Sequence, residues 1–175
     1  MSLPIQRGPL NIPDLDVQVM DYWYRLHKST KERPAKFIFG WIVFNHIFSK
    51  YSVYLHPGNA RLPGDKDQAM EFARMPALVN IFAVSSRSWQ SKRIITLPLM
   101  NYRNHPIPSS GLVGQVNAAA LSPEDFIEIM YEIRNSYVHG KRGVKVFEDQ
   151  AIAAFTDAFA DFLAVLVKQL DTMTR

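Results

Sequence analysis

Ser122-Pro123-Glu124-Asp125-Phe126-Ile127-Glu128-Ile129-Met130-Tyr131-Glu132-Ile133-Arg134-Asn135-Ser136-Tyr137-Val138-His139-Gly140 is the stretch that decides the fold class. A serine able to cap, a proline at the first helical position and two acids in the first turn mark a helix start. Gly140 supplies the residue that tolerates the left-handed conformation at which helices commonly end. Between these limits Phe126, Ile129, Met130, Ile133 and Tyr137 gather on one side at about 100° per residue, so the segment reads as an amphipathic helix from Ser122 to about His139. Glu128, Glu132, Asn135 and His139 fall roughly opposite that stripe. Ile127, Tyr131, Arg134 and Val138 lie between the two faces and form a second, partly apolar strip.

Working outward, the same helical period recurs and alternation of the strand kind is scarce. A helix is expected over about Val17 to Lys28, where Val17, Met20, Trp23 or Tyr24, and His27 recur at three- and four-residue steps. Another starts at Pro34, where a missing N–H costs nothing, and runs to about Ser52. Phe37, Ile38, Phe39, Trp41, Ile42, Val43, Phe44, Ile47, Phe48 and Tyr51 cover nearly its whole circumference, which requires burial on most sides. His56-Pro57-Gly58-Asn59 and Leu62-Pro63-Gly64-Asp65 read as turns, followed by shorter helices over Gln68 to Met75 and Pro76 to Ser86. From Ser88 to Gly111 the prolines Pro98, Pro106 and Pro108 predict loop, with Ile94-Ile95-Thr96-Leu97 able to pair briefly as a strand. A last helix, about Glu148 to Met173, turns Ile152, Phe155, Phe159, Phe162, Leu166 and Leu170 inward and Asp157, Asp161 and Lys168 outward. The expectation is an all-α fold: one domain over residues 1–175, a bundle of four to five main helices, an N-terminal extension over 1–16 and an irregular, loop-rich central insertion over 88–111.

Composition excludes more than it indicates. The chain has 175 residues, about one domain's worth, with 47% hydrophobic and 21% charged residues. Twenty Lys+Arg against 16 Asp+Glu give a net charge of +4, a mild basic excess that names no partner by itself. With no cysteine, disulfides, zinc ribbons, iron–sulfur clusters and cysteine nucleophiles are all excluded. Met1 to Arg7 lacks the apolar core of a secretory signal, so a cytoplasmic location is expected. The two most apolar stretches, Phe37 to Phe48 and Ala158 to Val167, are shorter than the ~20 residues needed to span a bilayer, so no membrane association is expected. His46 and His56 have no further ligand-type side chains at a suitable spacing, so neither a metal site nor a cofactor is expected. Ser136 has no visible base and acid around it to make it a nucleophile.

The residues at the end of the first helix quoted resemble a known family. Arg134-Asn135-Ser136-Tyr137-Val138-His139 is similar to the Arg-x4-6-His signature of the HEPN superfamily (higher eukaryotes and prokaryotes nucleotide-binding), in the form where asparagine follows the arginine and glycine follows the histidine. Phe39-Gly40-Trp41-Ile42-Val43-Phe44-Asn45 resembles the Trp-x-x-Phe-Asn stretch of several bacterial members. The position two residues after the histidine is Lys141, where HEPN toxins paired with nucleotidyltransferase antitoxins carry tyrosine, and this speaks against that subgroup. The resemblance implies a helical bundle that dimerises through the motif helices and, in catalytic members, metal-independent cleavage of RNA. It implies a toxin or defence effector, with an antitoxin or regulatory protein as a possible partner. His139 would move protons at the ribose 2′-hydroxyl or the leaving 5′-oxygen, which suits an imidazole. Arg134 would hold the phosphate and Asn135 would orient the histidine or the phosphate. The products would be a 2′,3′-cyclic phosphate and a 5′-hydroxyl. One helix does not easily converge Arg134 and His139 on one phosphate, so packing of Ile127, Tyr131 and Val138 against a second copy would complete the site.

Structural readings stand beside these. Arg134 could pair with Glu128 or Glu132, and His139 could be a cation favoured at a helix C-terminus. Asn45, alone in an apolar helix, is expected to bond within the core, or with Trp41 to support the motif helix from behind. Lys141, Arg142 and Lys145, and in the insertion Arg87, Lys92, Arg93, Arg103 and His105, are RNA-backbone contacts if they line the groove beside His139 and a solvated surface otherwise. Trp89 and Tyr102 could stack on bases, although core packing suits Trp89 better. The alternative function is a non-catalytic HEPN-like module that binds a partner protein, nucleotide or RNA; a plain helical scaffold is the third.

Overall fold

The computed structural model describes residues 12–87, 89, 94–101, 103–139 and 150–171. Six α-helices account for most of them: α1 (Val17–Ser29), α2 (Arg33–Leu55), α3 (Asp65–Ala73), α4 (Pro76–Ser86), α5 (Pro123–Val138) and α6 (Gln150–Asp171). The helix ends follow local chemistry. Asp16 caps α1 by accepting from the N–H of Val19 at 3.0 Å. Ser122 caps α5 by accepting from the N–H of Asp125 at 3.0 Å, with Pro123 behind it. The third helix starts at Asp65 rather than at Gln68, because the acids Asp65 and Asp67 suit a first turn.

The all-α expectation needs one correction. The insertion carries two small antiparallel sheets, so the fold is mostly helical with a minor strand portion. In one, β1 (Ile94–Leu97) pairs with β4 (Gly114–Asn117), Ile94 facing Asn117 and Leu97 facing Gly114. In the other, β2 (Leu99–Met100) pairs with β3 (Pro106–Ile107). The insertion therefore extends past Gly111 to Asn117, and a 3-10 turn, Ala118–Ala120, leads into α5. The strands form because Ile95 and Leu97 bury their side chains, at 1% and 3% exposure, while Ile94 points out.

Aromatic rings from five helices hold the core. Phe44 of α2 packs edge-on against Phe48, Phe72, Phe159 and Phe162, and Phe126 of α5 meets Phe82, Phe155 and Phe162. Such pairs add about 0.5–1.5 kcal/mol each beyond area burial. Trp89 is a core residue: it stacks on Phe126 with centroids 5.2 Å apart and anchors the start of the insertion. The inward set expected on α6, from Ile152 to Leu170, is buried throughout. On α2, Phe37, Trp41, Val43, Phe44, Ile47 and Phe48 are buried, while Ile38, Phe39, Ile42 and Tyr51 are only half-buried. Close packing of α1 on α2 depends on Gly40, where a Cβ would lie 2.8 Å from Nδ1 of His27. No helix among the described residues is long and apolar enough to cross a membrane.

Candidate functional site

On the core face of α5, Phe126, Ile129, Met130 and Ile133 are at most 3% exposed, as expected, whereas Tyr137 is half-buried. The opposite face is not solvated as the helical projection suggests. Glu128, Glu132 and Asn135 are 5%, 6% and 8% exposed, because α3 and the insertion lie over them. Periodicity tells which residues share a face; it does not tell what else packs there.

The buried acids are met by partners distant in sequence. Lys66 of α3 reaches Glu128 Oε1 at 3.0 Å and Glu132 Oε1 at 3.5 Å. Ser109 of the insertion donates its backbone N–H and its hydroxyl to Glu128 Oε2, at 2.9 and 2.8 Å. Burial pushes the Glu128 carboxyl up, but the two Ser109 hydrogen bonds and Lys66 outweigh it and hold the group below its ordinary range. Lys66 is treated in reverse: burial lowers it, and the two carboxylates more than restore it, so it stays raised. Oε2 of Glu132 is buried without a hydrogen-bond partner among the described residues. Sequence reasoning missed Lys66 and Ser109; both stand in turn-rich stretches that read as solvent-facing.

The motif residues run from Arg134 to the C-cap His139 at the end of the same helix. With both glutamates turned to Lys66, the half-buried Arg134 donates from Nη1 to Oδ1 of Asn135 at 2.9 Å. His139 is the exposed C-cap residue, and its backbone N–H bonds to the carbonyl of Asn135 at 2.9 Å. Asn135 thus touches both other members, Arg134 through its side chain and His139 through its backbone. This arrangement leaves the imidazole at the surface, where it can meet a ligand.

The strip expected to face a second copy divides. Ile127 is 0% exposed and belongs to the core of its own chain. Tyr131 is half-buried and packs edge-on against Trp41 at 5.8 Å, whereas Val138 is 49% exposed. Any surface offered to a partner therefore lies toward the end of the helix, around Val138. Trp41 is 5% exposed and makes this ring contact from α2 to Tyr131 of the motif helix. Asn45 is half-buried rather than sealed in the core, and it hydrogen-bonds neither the core nor α5 among the described residues.

Lys141, Arg142 and Lys145, with Lys92, Arg93 and Tyr102, lie outside the described residues. Arg87, Arg103 and His105 are exposed. Among the described residues no group of three or more His, Cys, Asp or Glu side chains could hold a metal ion. His56 is instead paired with Glu71, Nε2 to Oε1 at 2.9 Å. No family model, curated protein or solved structure matches the chain.

Proposed function

We propose that the chain is a metal-independent endoribonuclease of HEPN type, acting as a toxin or defence effector in the cytoplasm. The observation that carries this reading is the placement of Arg134, Asn135 and His139 at the C-terminal end of one helix, with the Asn135 side chain accepting from Arg134 and His139 exposed. In the proposed reaction an imidazole takes the proton of a ribose 2′-hydroxyl, the 2′-oxygen bonds to phosphorus, and the bond to the 5′-oxygen breaks. The leaving 5′-oxygen takes up a proton, giving a 2′,3′-cyclic phosphate and a 5′-hydroxyl. Arg134 stabilises the charge that gathers on the phosphate oxygens, and Asn135 fixes the guanidinium by the bond it accepts. A second copy docked around Val138 brings its own Arg134 and His139 to the site.

The test is cleavage of labelled RNA by the purified protein in chelator, beside the 2′-deoxy analogue, with His139→Ala and Arg134→Ala in parallel. Cleavage restricted to RNA and abolished by both substitutions supports the reading. Cleavage that persists in either variant, or that disappears in chelator, removes it.

One observation favours a second reading, a non-catalytic helical module that binds a partner protein, nucleotide or RNA: the Arg134 guanidinium is already engaged by a side chain of its own helix. Under that reading His139→Ala leaves every RNA intact and weakens binding to the partner.

A further inference from the structure

Among the described residues, two shallow clefts away from α5 differ in how their charges are used. The first runs along α1 and is lined by Asp21, Tyr24, Arg25 and Lys28. Its charges are satisfied within the protein: Asp21 pairs with Arg25, and the Lys28 ammonium sits 4.7 Å over the Tyr24 ring. Such a surface has little unsatisfied charge to offer a ligand.

The second cleft, about 400 Å³, opens at the C-terminal end of α2. That volume lies within the range of small-molecule sites. Val53, Tyr54 and Leu62 line it with apolar surface, and Asp14 and Lys50 line it with opposite charges. Neither Asp14 nor Lys50 forms an ion pair or hydrogen bond among the described residues, so the two charges share a cleft without meeting each other. The third polar group is His56, which also lines the cleft. Its Nε2 is held by Glu71 Oε1 at 2.9 Å, and the other Glu71 oxygen accepts from the Ser52 hydroxyl at 3.4 Å. A carboxylate only accepts, so Nε2 carries the proton, and in the neutral ring Nδ1 is an acceptor left for a ligand. His56 is also the C-cap of a 23-residue helix, whose terminal carbonyls add negative potential at that end. Positive charge is therefore favoured beside His56 and Asp14, and negative charge beside Lys50, more than a turn earlier.

We propose that this cleft binds a zwitterionic α-amino acid with an apolar side chain. The ligand's ammonium lies between the Asp14 carboxylate and Nδ1 of His56, its carboxylate meets Lys50, and its side chain covers Val53, Tyr54 and Leu62. Glu71 and Ser52 act by fixing the tautomer of His56 and do not touch the ligand. The site is independent of the ribonuclease reading, and its test uses no RNA.

The full chain is titrated with L-phenylalanine, L-leucine, phenylpropanoate, which lacks the ammonium, and phenylethylamine, which lacks the carboxylate. The amide resonances of Gly58 and Asn59 and the imidazole nitrogens of His56 are followed by NMR. Saturable shifts at these positions are expected with at least one amino acid, and each analogue binds at least about tenfold more weakly, as expected for one lost charge-assisted contact. Asp14→Asn brings phenylalanine down to the affinity of phenylpropanoate, and Lys50→Met brings it down to that of phenylethylamine. Asp14 is exposed and Lys50 half-buried, and an unchanged circular dichroism spectrum shows that each variant is folded. The proposal is overturned if neither amino acid gives saturable shifts at the cleft, if the analogues bind as well as the amino acids, or if both variants bind like the original chain.

Discussion

Two polar clusters share α5, and they are built in opposite ways. The first ties the buried Glu128 and Glu132 to Lys66 and Ser109 and joins three parts of the chain at least 19 residues apart. The second, Arg134, Asn135 and His139, is made within six consecutive residues at the end of the helix and finishes at an exposed histidine. The first cluster fixes where the helix lies and leaves little to offer a ligand. The second leaves its titratable group outside. The same kinds of side chain thus do structural work where two other elements cover the helix and are free for chemistry where the cover stops.

Paired substitutions break or sharpen that contrast. The largest expected effect is on RNA cleavage by His139→Ala, a loss of about 10²–10⁴-fold, the usual contribution of a general acid or base, with an unchanged thermal midpoint. Lys66→Met should do the reverse. Removing one partner of a buried ion pair costs about 3–5 kcal/mol. The Lys66 side chain is 43% exposed, so water screens part of the loss, and about 2 kcal/mol in urea unfolding is expected. If His139→Ala destabilised the fold as much as Lys66→Met, the two clusters would not be distinct in kind.

The contrast also marks what the sequence could tell. The start of α5 was legible from Ser122-Pro123 and most of its core stripe from period alone. The cover over Glu128 and Glu132 was not legible. A lysine in Gly64-Asp65-Lys66-Asp67 and a serine in Pro108-Ser109-Ser110 carry no signal that they meet a helix 19 or more residues away. Ile127 was assigned to a partner surface for the same reason: a residue between two faces is exposed only if the second face is. Ile94–Leu97 was legible as a strand, but its partner was not, because Gly114-Gln115-Val116-Asn117 has one apolar side chain and the pairing is set by tertiary contact.

A pH series separates the buried cluster from the rest of the molecule. Glu128 is held below its ordinary value of about 4.3, so on acidification the unfolded chain takes up this proton before the folded one. Its contribution is complete above that value and is lost as pH falls through the folded one. Glu128→Gln should remove this acid limb from a plot of urea midpoint against pH. His27 produces a separate limb. Burial between α1 and α2 lowers it, with Lys36 and Lys28 adding repulsion against a bond to the Lys36 carbonyl that raises it. The folded ring therefore takes up its proton at a lower pH than the unfolded one, which charges below about pH 6.5, and stability declines from there downward. His27→Gln should flatten only that upper limb.

The smallest effect tests whether the insertion is held to α5 by Glu128 in particular. Ser109→Ala keeps the backbone N–H bond to Oε2 and removes only the hydroxyl bond, at 2.8 Å. Hydrogen bonds to charged groups contribute about 1.5–3 kcal/mol when sheltered, and Ser109 is an exposed residue, so a loss of about 1 kcal/mol is expected. In a Glu128→Ala background the same substitution should cost almost nothing, since the acceptor is already gone. That difference is the coupling energy of the contact. Equal costs in both backgrounds would mean that the Ser109 hydroxyl acts on its own loop, and that the insertion rests on α5 through Trp89 and Phe126 instead.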